Sequence, residues 1–342
     1  MKVGVVGASG YAGVELLRLC AGHPDLQVAV AAAGSNAGQP VATHTPSLAA
    51  AYPSLVFDPT DPDVLDGLDL VFLALPHGES QKLVPALLGR VGAIVDLAAD
   101  FRLKDPALYP TWYGEDHAAP ELLDRFGYGL PELFRAELLG DGLAGASLVA
   151  APGCYPTAAA LALAPLVRAG AVQPTGMVVD AASGVSGAGR GLSDRLHFGA
   201  VDEDFTAYGL LSHRHTPEME QAIGGQLLFT PHLAPMVRGI LATCYARPTG
   251  PATTGDLLAL LRDAYAGEPF VVVVDGSPST KATAGSNCAH LTVRVDPRTG
   301  WVVALSALDN LVKGAAGQAV QCANLALGLP ETTGLPLVGL YP

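Results

Sequence analysis

The chain has 342 residues, half of them hydrophobic and 15% charged, with 19 basic against 32 acidic side chains and a formal net charge of −13. That length suits about two domains of ~150 residues each, and 40 Gly with 27 Pro stay below the level of low-complexity chains, so disorder, collagen and coiled coil are excluded. The negative charge removes any general attraction to phosphate backbones or anionic lipid; no nucleic-acid partner is expected, whereas a small anion held by a few local cations and backbone amides is allowed.

The first thirty residues read strand (Lys2 to Val6), glycine turn (Gly7 to Gly13), helix (Val14 to Cys20) and strand (Gln27 to Ala33), a βαβ opening. Gly22 and His23-Pro24 end the helix locally. Apolar runs at Leu70 to Leu75 and Ala93 to Leu97 flank a helix predicted over Glu79 to Leu88 and closed by Gly89. Near-continuous apolar strands of this kind suit a parallel sheet covered on both faces, so the fold class expected is α/β, with a Rossmann-type doubly wound parallel sheet.

From Arg102 to Gly145 the alternation breaks, and Ser147 to Ala151 makes one more strand before Pro152-Gly153-Cys154, where a domain boundary is expected. Residues 1–152 are read as the nucleotide-binding domain and 153–312 as a catalytic domain. The latter opens with a helix (Tyr155 to Val167), a strand (Met177 to Ala182) and a loop rich in Gly and Ser (Ser183 to Ser193). Strands follow at Gly239 to Ala246, Phe270 to Val274, Ala289 to Val295 and Trp301 to Ala307, the last two joined by a hairpin turn over 296–300. This half is read as α+β with a mixed or antiparallel sheet. Val312 to Leu327 is read as a terminal helix.

Mean hydropathy is positive at +0.35, yet no segment supplies the ~18 uninterrupted apolar residues of a spanning helix. Glycines interrupt the first apolar stretch, which is poor for a secretory signal; no membrane partner and a cytoplasmic location are expected. Five cysteines with no C-x-x-C pair fit neither a disulfide framework nor structural zinc.

Gly7-Ala8-Ser9-Gly10-Tyr11-Ala12-Gly13 follows a strand and opens a helix, the context in which a glycine turn holds a dinucleotide. Gly7, Ser9, Gly10, Tyr11, Ala12 and Gly13 are the candidate cofactor contacts. At the end of the second strand stands Gly34-Ser35-Asn36, with no carboxylate to repel a 2′-phosphate, so NADP is expected over NAD, with Ser35 beside it. Cys154 lies at a strand-to-helix junction, where the helix field favours a thiolate; Cys20, Cys244, Cys288 and Cys322 are read as core residues. His213-Arg214-His215-Thr216-Pro217-Glu218 offers a histidine for acid/base work, with Glu218 orienting an imidazole and a helix starting at Pro217. No third ligand at regular spacing accompanies the pair, so no metal is expected. Arg102, Arg190 and Arg238, in loops, are candidates to bind a carboxylate or phosphate, and Lys313-Gly314-Ala315-Ala316-Gly317 either closes over a cofactor or begins the last helix.

A nicotinamide site and a thiolate candidate together point to reduction of an acyl phosphate through an enzyme-bound thioester. Gly7 to Gly13, Ala151-Pro152-Gly153-Cys154-Tyr155-Pro156-Thr157, Ser183 to Arg190, His213-Arg214-His215, Phe229 to Leu233, Arg238-Gly239 and Asp309 to Ala319 resemble the N-acetyl-gamma-glutamyl-phosphate reductase family, relatives of aspartate-semialdehyde and glyceraldehyde-3-phosphate dehydrogenases. The resemblance implies NADPH-dependent reduction of N-acetyl-L-glutamyl 5-phosphate in arginine biosynthesis, with Cys154 as nucleophile and His215 as its acid/base partner. It further implies that Ser186, Gly187 and Asn310 touch the cofactor, that Arg102 binds phosphate, that residues 313–342 return to the first domain, and that the protein is a homodimer or homotetramer. Rival readings are an aminoadipate homologue as substrate, a cysteine hydrolase using Cys154 and His215 without hydride transfer, and a redox sensor that binds NADP without turnover.

Overall fold

Six short and largely apolar strands make the first sheet of the computed structural model, which describes residues 1–139 and 147–341; the expected end of the irregular stretch at Gly145 lies outside them. They are β1 (Lys2–Val6), β2 (Gln27–Ala32), β3 (Leu70–Leu73), β4 (Ala93–Asp96), β5 (Gly127–Tyr128) and β6 (Leu148–Ala150), in the order β2-β1-β3-β4-β6-β5. Every pairing is parallel. β3 and β4 are buried along their whole length, as the unbroken Leu-Val-Phe-Leu and Ala-Ile-Val runs require, and each Leu, Val, Ile or Phe side chain taken out of water contributes ~1.5–3 kcal/mol.

This sheet belongs to one of two compact units, formed by Met1–Pro152 with Ala315–Leu335. The returning segment is held by buried polar groups as well as by packing. In the helix Gly317–Ala326, Gln321 Nε2 donates to Glu132 Oε1 at 2.8 Å and to Glu331 Oε1 at 2.7 Å, and Asn324 Oδ1 lies 2.9 Å from His23 Nε2.

The second unit comprises Gly153–Gly314 and the residues from Pro336 onward. Its seven strands are β7 (Met177–Gly184), β8 (Thr206–Ala207), β9 (Leu227–Ala234), β10 (Ile240–Ala246), β11 (Val271–Val273), β12 (Ala289–Val295) and β13 (Val302–Leu308), ordered β11-β12-β13-β10-β7-β9-β8. The sheet is mixed: β7 with β9 and β11 with β12 run parallel, the rest antiparallel. The helix Cys154–Arg168, with Ala158 to Ala164 all buried, packs on β10 and β13, and the helices His215–Ile223 and Thr254–Ala264 pack against it.

Two local readings of the sequence are corrected. The helix after the histidines begins at His215, two residues before Pro217. The terminal helix does not run regularly from Val312: a π-turn over Val312–Ala316 precedes the α-helix Gly317–Ala326. Among the described residues no helix is long and apolar enough to cross a membrane.

Candidate active site

In the first unit the glycine turn joins β1 to the helix Tyr11–Ala21. Gly7 and Ala8 donate their N–H groups to the Ala32 carbonyl at the end of β2, at 2.9 and 3.0 Å. Gly7 has φ +79°, and a Cβ there would stand 2.1 Å from the Ala74 carbonyl oxygen, so only glycine fits. A Cβ at Gly13 would meet the Gly7 carbonyl at 2.2 Å; this glycine lets helix and strand close together. A Cβ at Gly10 would meet only the Gly7 carbonyl, at 3.4 Å, and Gly10 caps the helix without a side chain.

Tyr11 and Ala12 form the first helical residues, Ser9 is half-buried, and Ser35 sits on the exposed turn Gly34–Asn36 after β2. A backbone cradle at a helix N-terminus with no carboxylate on the neighbouring turn fits the pyrophosphate and 2′-phosphate of NADP. Arg102 is in this unit but is no surface arginine. It is buried, with Nε donating to the Ala151 carbonyl at 2.8 Å and a terminal nitrogen to the Leu97 carbonyl at 2.6 Å.

The second unit assembles its polar cluster at the starts of two helices. Cys154 is the first residue of the helix Cys154–Arg168, which Gly153 caps without a side chain, so the thiol stands at the positive end of the helix dipole. It is half-buried, whereas the other four cysteines are buried and free of disulfides. Burial pushes the thiols of Cys20 and Cys244 up to about 12 and raises that of Cys288, which makes them inert core residues at neutral pH.

His215 is likewise the first residue of its helix. The two helix starts are joined by Glu218, fully buried, whose Oε1 accepts from the Gly153 N–H at 2.8 Å. Glu218, expected to orient an imidazole, anchors the backbone of the residue that precedes Cys154. Tyr155, next to Cys154, makes T-shaped contacts with both imidazoles, with centroids 5.7 Å from His213 and 6.0 Å from His215. The two imidazoles are 4.8 Å apart. His213 Nδ1 accepts from the His215 N–H at 3.1 Å, and burial together with the Arg214 charge lowers His213 to about 4. His213 is thus a neutral acceptor that fixes the backbone of His215.

The Tyr208 hydroxyl donates to that of Tyr155 at 3.2 Å, and Tyr155 donates to the His232 carbonyl at 3.1 Å. Burial raises the Tyr155 phenol far above its usual range and takes Tyr208 up to about 12. Tyr155 and Tyr208 carry no role in the sequence reading. Tyr155 stands in the Pro-Gly-Cys-Tyr-Pro-Thr block and is open to assignment from it, whereas nothing in sequence sets Tyr208 apart.

The Ser183 to Arg190 loop continues from β7 and is tied into the same unit. Ser186 Oγ donates to the Val237 carbonyl at 2.6 Å and accepts from Asn310 Nδ2 at 3.0 Å, while Asn310 Oδ1 accepts from the Gly239 N–H at 2.7 Å. Ser186 and Asn310 therefore shape the loop on which Gly187 and the exposed Arg190 lie. Arg238 pairs with the buried Asp309 at 3.4 Å.

Residues 2–140 match the family model described as semialdehyde dehydrogenase, NAD binding domain, and 154–310 that described as semialdehyde dehydrogenase, dimerisation domain. Among solved structures, aspartate semialdehyde dehydrogenase II from Vibrio cholerae, complexed with ASA, superposes with a TM-score of 0.69 at 14% identity, covering 96% of this chain and 98% of its own. Aspartate semialdehyde dehydrogenase with NADP from Candida albicans gives 0.68 at 16%, covering 95% and 97%. At that identity the likeness shows the fold.

The curated relatives are much nearer. N-acetyl-gamma-glutamyl-phosphate reductase of Symbiobacterium thermophilum is 50% identical over 100% of this chain and 99% of its own length, and that of Desulforudis audaxviator is 49% identical over the whole of both. With full-length identity of this order and a thiol and an imidazole at neighbouring helix starts, the chain belongs to the N-acetyl-gamma-glutamyl-phosphate reductase family.

Proposed function

We propose that this protein reduces N-acetyl-L-glutamyl 5-phosphate to N-acetyl-L-glutamate 5-semialdehyde and phosphate with NADPH, the reduction for which its relatives are named, and that it does so in arginine biosynthesis. The observation that carries the chemistry is the pairing of helix starts: Cys154 and His215 each open a helix, and Glu218 bonds the residue before the nucleophile. Gly7, Ser9, Gly10, Tyr11, Ala12, Gly13 and Ser35 would hold the dinucleotide in the first unit; Ser186, Gly187 and Asn310 are the further residues that the family resemblance assigns to the cofactor. When bound, NADPH supplies the hydride that takes the acyl group to the aldehyde level.

The rest is the work of the chain. His215 accepts the Cys154 proton; the thiolate attacks the acyl carbon and expels phosphate, leaving a thioester. After reduction, His215 returns the proton to the developing alkoxide; as the thiohemiacetal collapses His215 takes the hydroxyl proton back, and aldehyde and thiolate are released. His213, held neutral, acts as a positioning residue and adds no second positive charge beside His215. Arg102, Arg190 and Arg238 are the cations assigned to the anionic groups of the substrate and its leaving phosphate.

A spectrophotometric assay of the reverse reaction tests this: N-acetylglutamate semialdehyde with NADP should raise nicotinamide absorbance beyond a single turnover only when phosphate is present, and faster with NADP than NAD. Consumption of the acyl phosphate with no absorbance change in the forward direction would instead mark a hydrolase. A homo-oligomer, dimer or tetramer, in the cytoplasm is also proposed. The match to a dimerisation domain and the exposed apolar side chains Leu192, Phe198, Leu210 and Leu211 of the second unit support association; a monomer mass by light scattering would refute it.

A further inference from the structure

The segment Lys313 to Gly317 neither closes freely over a ligand nor simply starts a helix. Its first part is a π-turn, Val312–Ala316, pinned from several sides. The Gly314 N–H donates to the Asp309 carbonyl, five residues back, at 2.9 Å. Asp309, fully buried, accepts at Oδ1 from the N–H groups of Leu311 (2.8 Å) and Val312 (3.1 Å), and at Oδ2 from Gly285 N–H at 2.7 Å. Lys313, also fully buried, extends over the Phe270 ring at 5.6 Å. π-Turns inside helices are uncommon and cluster at functional sites.

What this pinned turn presents is the α-carbon of Gly314. A Cβ built on it would lie 2.7 Å from Cys154 Cβ, 3.3 Å from Cys154 Cα and 3.3 Å from the Asp309 carbonyl oxygen. No rotation of the cysteine side chain moves its Cα or Cβ, and the partner oxygen is backbone. Relief would require either the start of the Cys154 helix or the π-turn to shift. Gly153 and Gly314 are the first and last residues of the main segment of the second unit, so the two ends of that segment meet beside the thiol.

We infer that Gly314 is a positioning residue for the nucleophile: the Asp309–Gly314 turn is a backstop against Cys154 Cβ, holding the sulfur at one place at the helix start, and any side chain at position 314 displaces it. This rests on Cys154 being the nucleophile as proposed above. Displacement of a reacting group by ~1 Å costs on the order of 10²-fold in rate.

The full-length Gly314→Ala enzyme should therefore lose about 10²-fold in kcat of the phosphate-dependent reverse reaction, with KM for phosphate and NADP changed less than about twofold. The rate at which iodoacetamide labels Cys154, followed on its peptide by mass spectrometry, should change together with its pH profile. Gly276→Ala, where an added Cβ meets open space, should change none of these. Because Gly314→Ala also lowers stability, the contact is tested without activity by a double-mutant cycle in urea. Cys154→Gly removes the Cβ that collides, so the fall in midpoint caused by Gly314→Ala should shrink in that background, and a Gly314→Ala protein that fails to fold should be recovered by it.

An unreduced fall in the cycle, or an unaltered labelling profile with unaltered kcat, overturns the backstop and leaves the reductase reading standing. Activity retained in Cys154→Ser overturns the reductase mechanism while leaving a coupled cycle intact.

Discussion

The glycine turn of the first unit and the thiol site of the second are built in opposite ways. Gly7 to Gly13 is one continuous stretch whose partners, Ala32 and Ala74, terminate the strands beside it; each glycine is explained by backbone close to the turn. The Gly153–Tyr155 segment is contacted by Tyr208, His213, His215, Glu218, His232 and Gly314, brought together by the packing of three helices on a mixed sheet. A local motif fails by losing its own conformation, whereas an assembled site fails through displacement of one piece relative to another. Substitutions in the two should separate accordingly, binding and folding on one side, rate on the other.

The largest effect belongs to the assembled site. Cys154→Ser should lower turnover by on the order of 10⁴-fold or more, as removal of a nucleophile does, while leaving the urea midpoint close to the parent; retention of a tenth of the rate would falsify the thioester route. His215→Asn should cost about 10²- to 10⁴-fold in kcat, with the pH–rate profile altered, and His213→Gln distinctly less. Equal losses from the two would show that the imidazoles share the proton.

The glycine turn gives the contrast. Gly7→Ala forces alanine into a positive φ and overlaps the Ala74 carbonyl, so the protein should lose roughly 1–3 kcal/mol from the backbone conformation alone and more from the clash. Gly10→Ala, with room for its methyl, should fold normally and show itself only in a higher KM for NADPH. If both variants were equally stable, the local account of the turn would be wrong. Arg102→Ala should raise KM for phosphate in the reverse direction; a fall in stability with unchanged KM would make Arg102 solely a brace for the Leu97 and Ala151 carbonyls.

The smallest effects are in pH dependence, where the two units have opposite signs. In the first, Asp96 is fully buried at the end of β4, and burial with the nearby Asp100 charge raises its carboxyl to about 7. The folded state therefore binds this proton more tightly, and its contribution to stability is lost as pH rises from about 4 to about 7, at no more than ~1.4 kcal/mol per pH unit. In the second, His213 is lowered to about 4, so the unfolded state binds the proton more tightly and stability is lost as pH falls from about 6.5 toward 4. Asp96→Asn should make the urea midpoint rise more steeply with pH across that window, and His213→Gln should flatten it. Slopes that move in the same direction would contradict this assignment.

Much of the first unit is legible in sequence because its strands are apolar on both faces and its turns are local. β1 begins and ends where the sequence predicts, and β3, β4 and β6 differ by one or two residues. The helix Tyr11–Ala21 starts three residues before Val14, because the extended backbone of Gly10 already caps it and Tyr11, Ala12 and Gly13 follow as its first turn. β9 escapes the sequence reading for a physical reason, since Pro231 inside Leu227–Ala234 argues against a strand. It is tolerated because only the two-residue β8 pairs on the outer side of β9. The parallel partnership of β7 with β9 has no local signature at all.

The sequence by itself determined the chemical inventory and its local settings: a glycine turn between strand and helix, a cysteine after Pro-Gly at a helix start, two histidines one residue apart. Backbone preferences and apolar periodicity act over a few residues, so they are readable along the chain. Only the tertiary structure decided that Glu218 bonds Gly153, that His213 is a neutral support, that Tyr208 joins the cluster and that Gly314 abuts Cys154. These depend on which distant helix starts and turns the packed sheet brings within a few ångströms, and such approaches are set by the closing of the core.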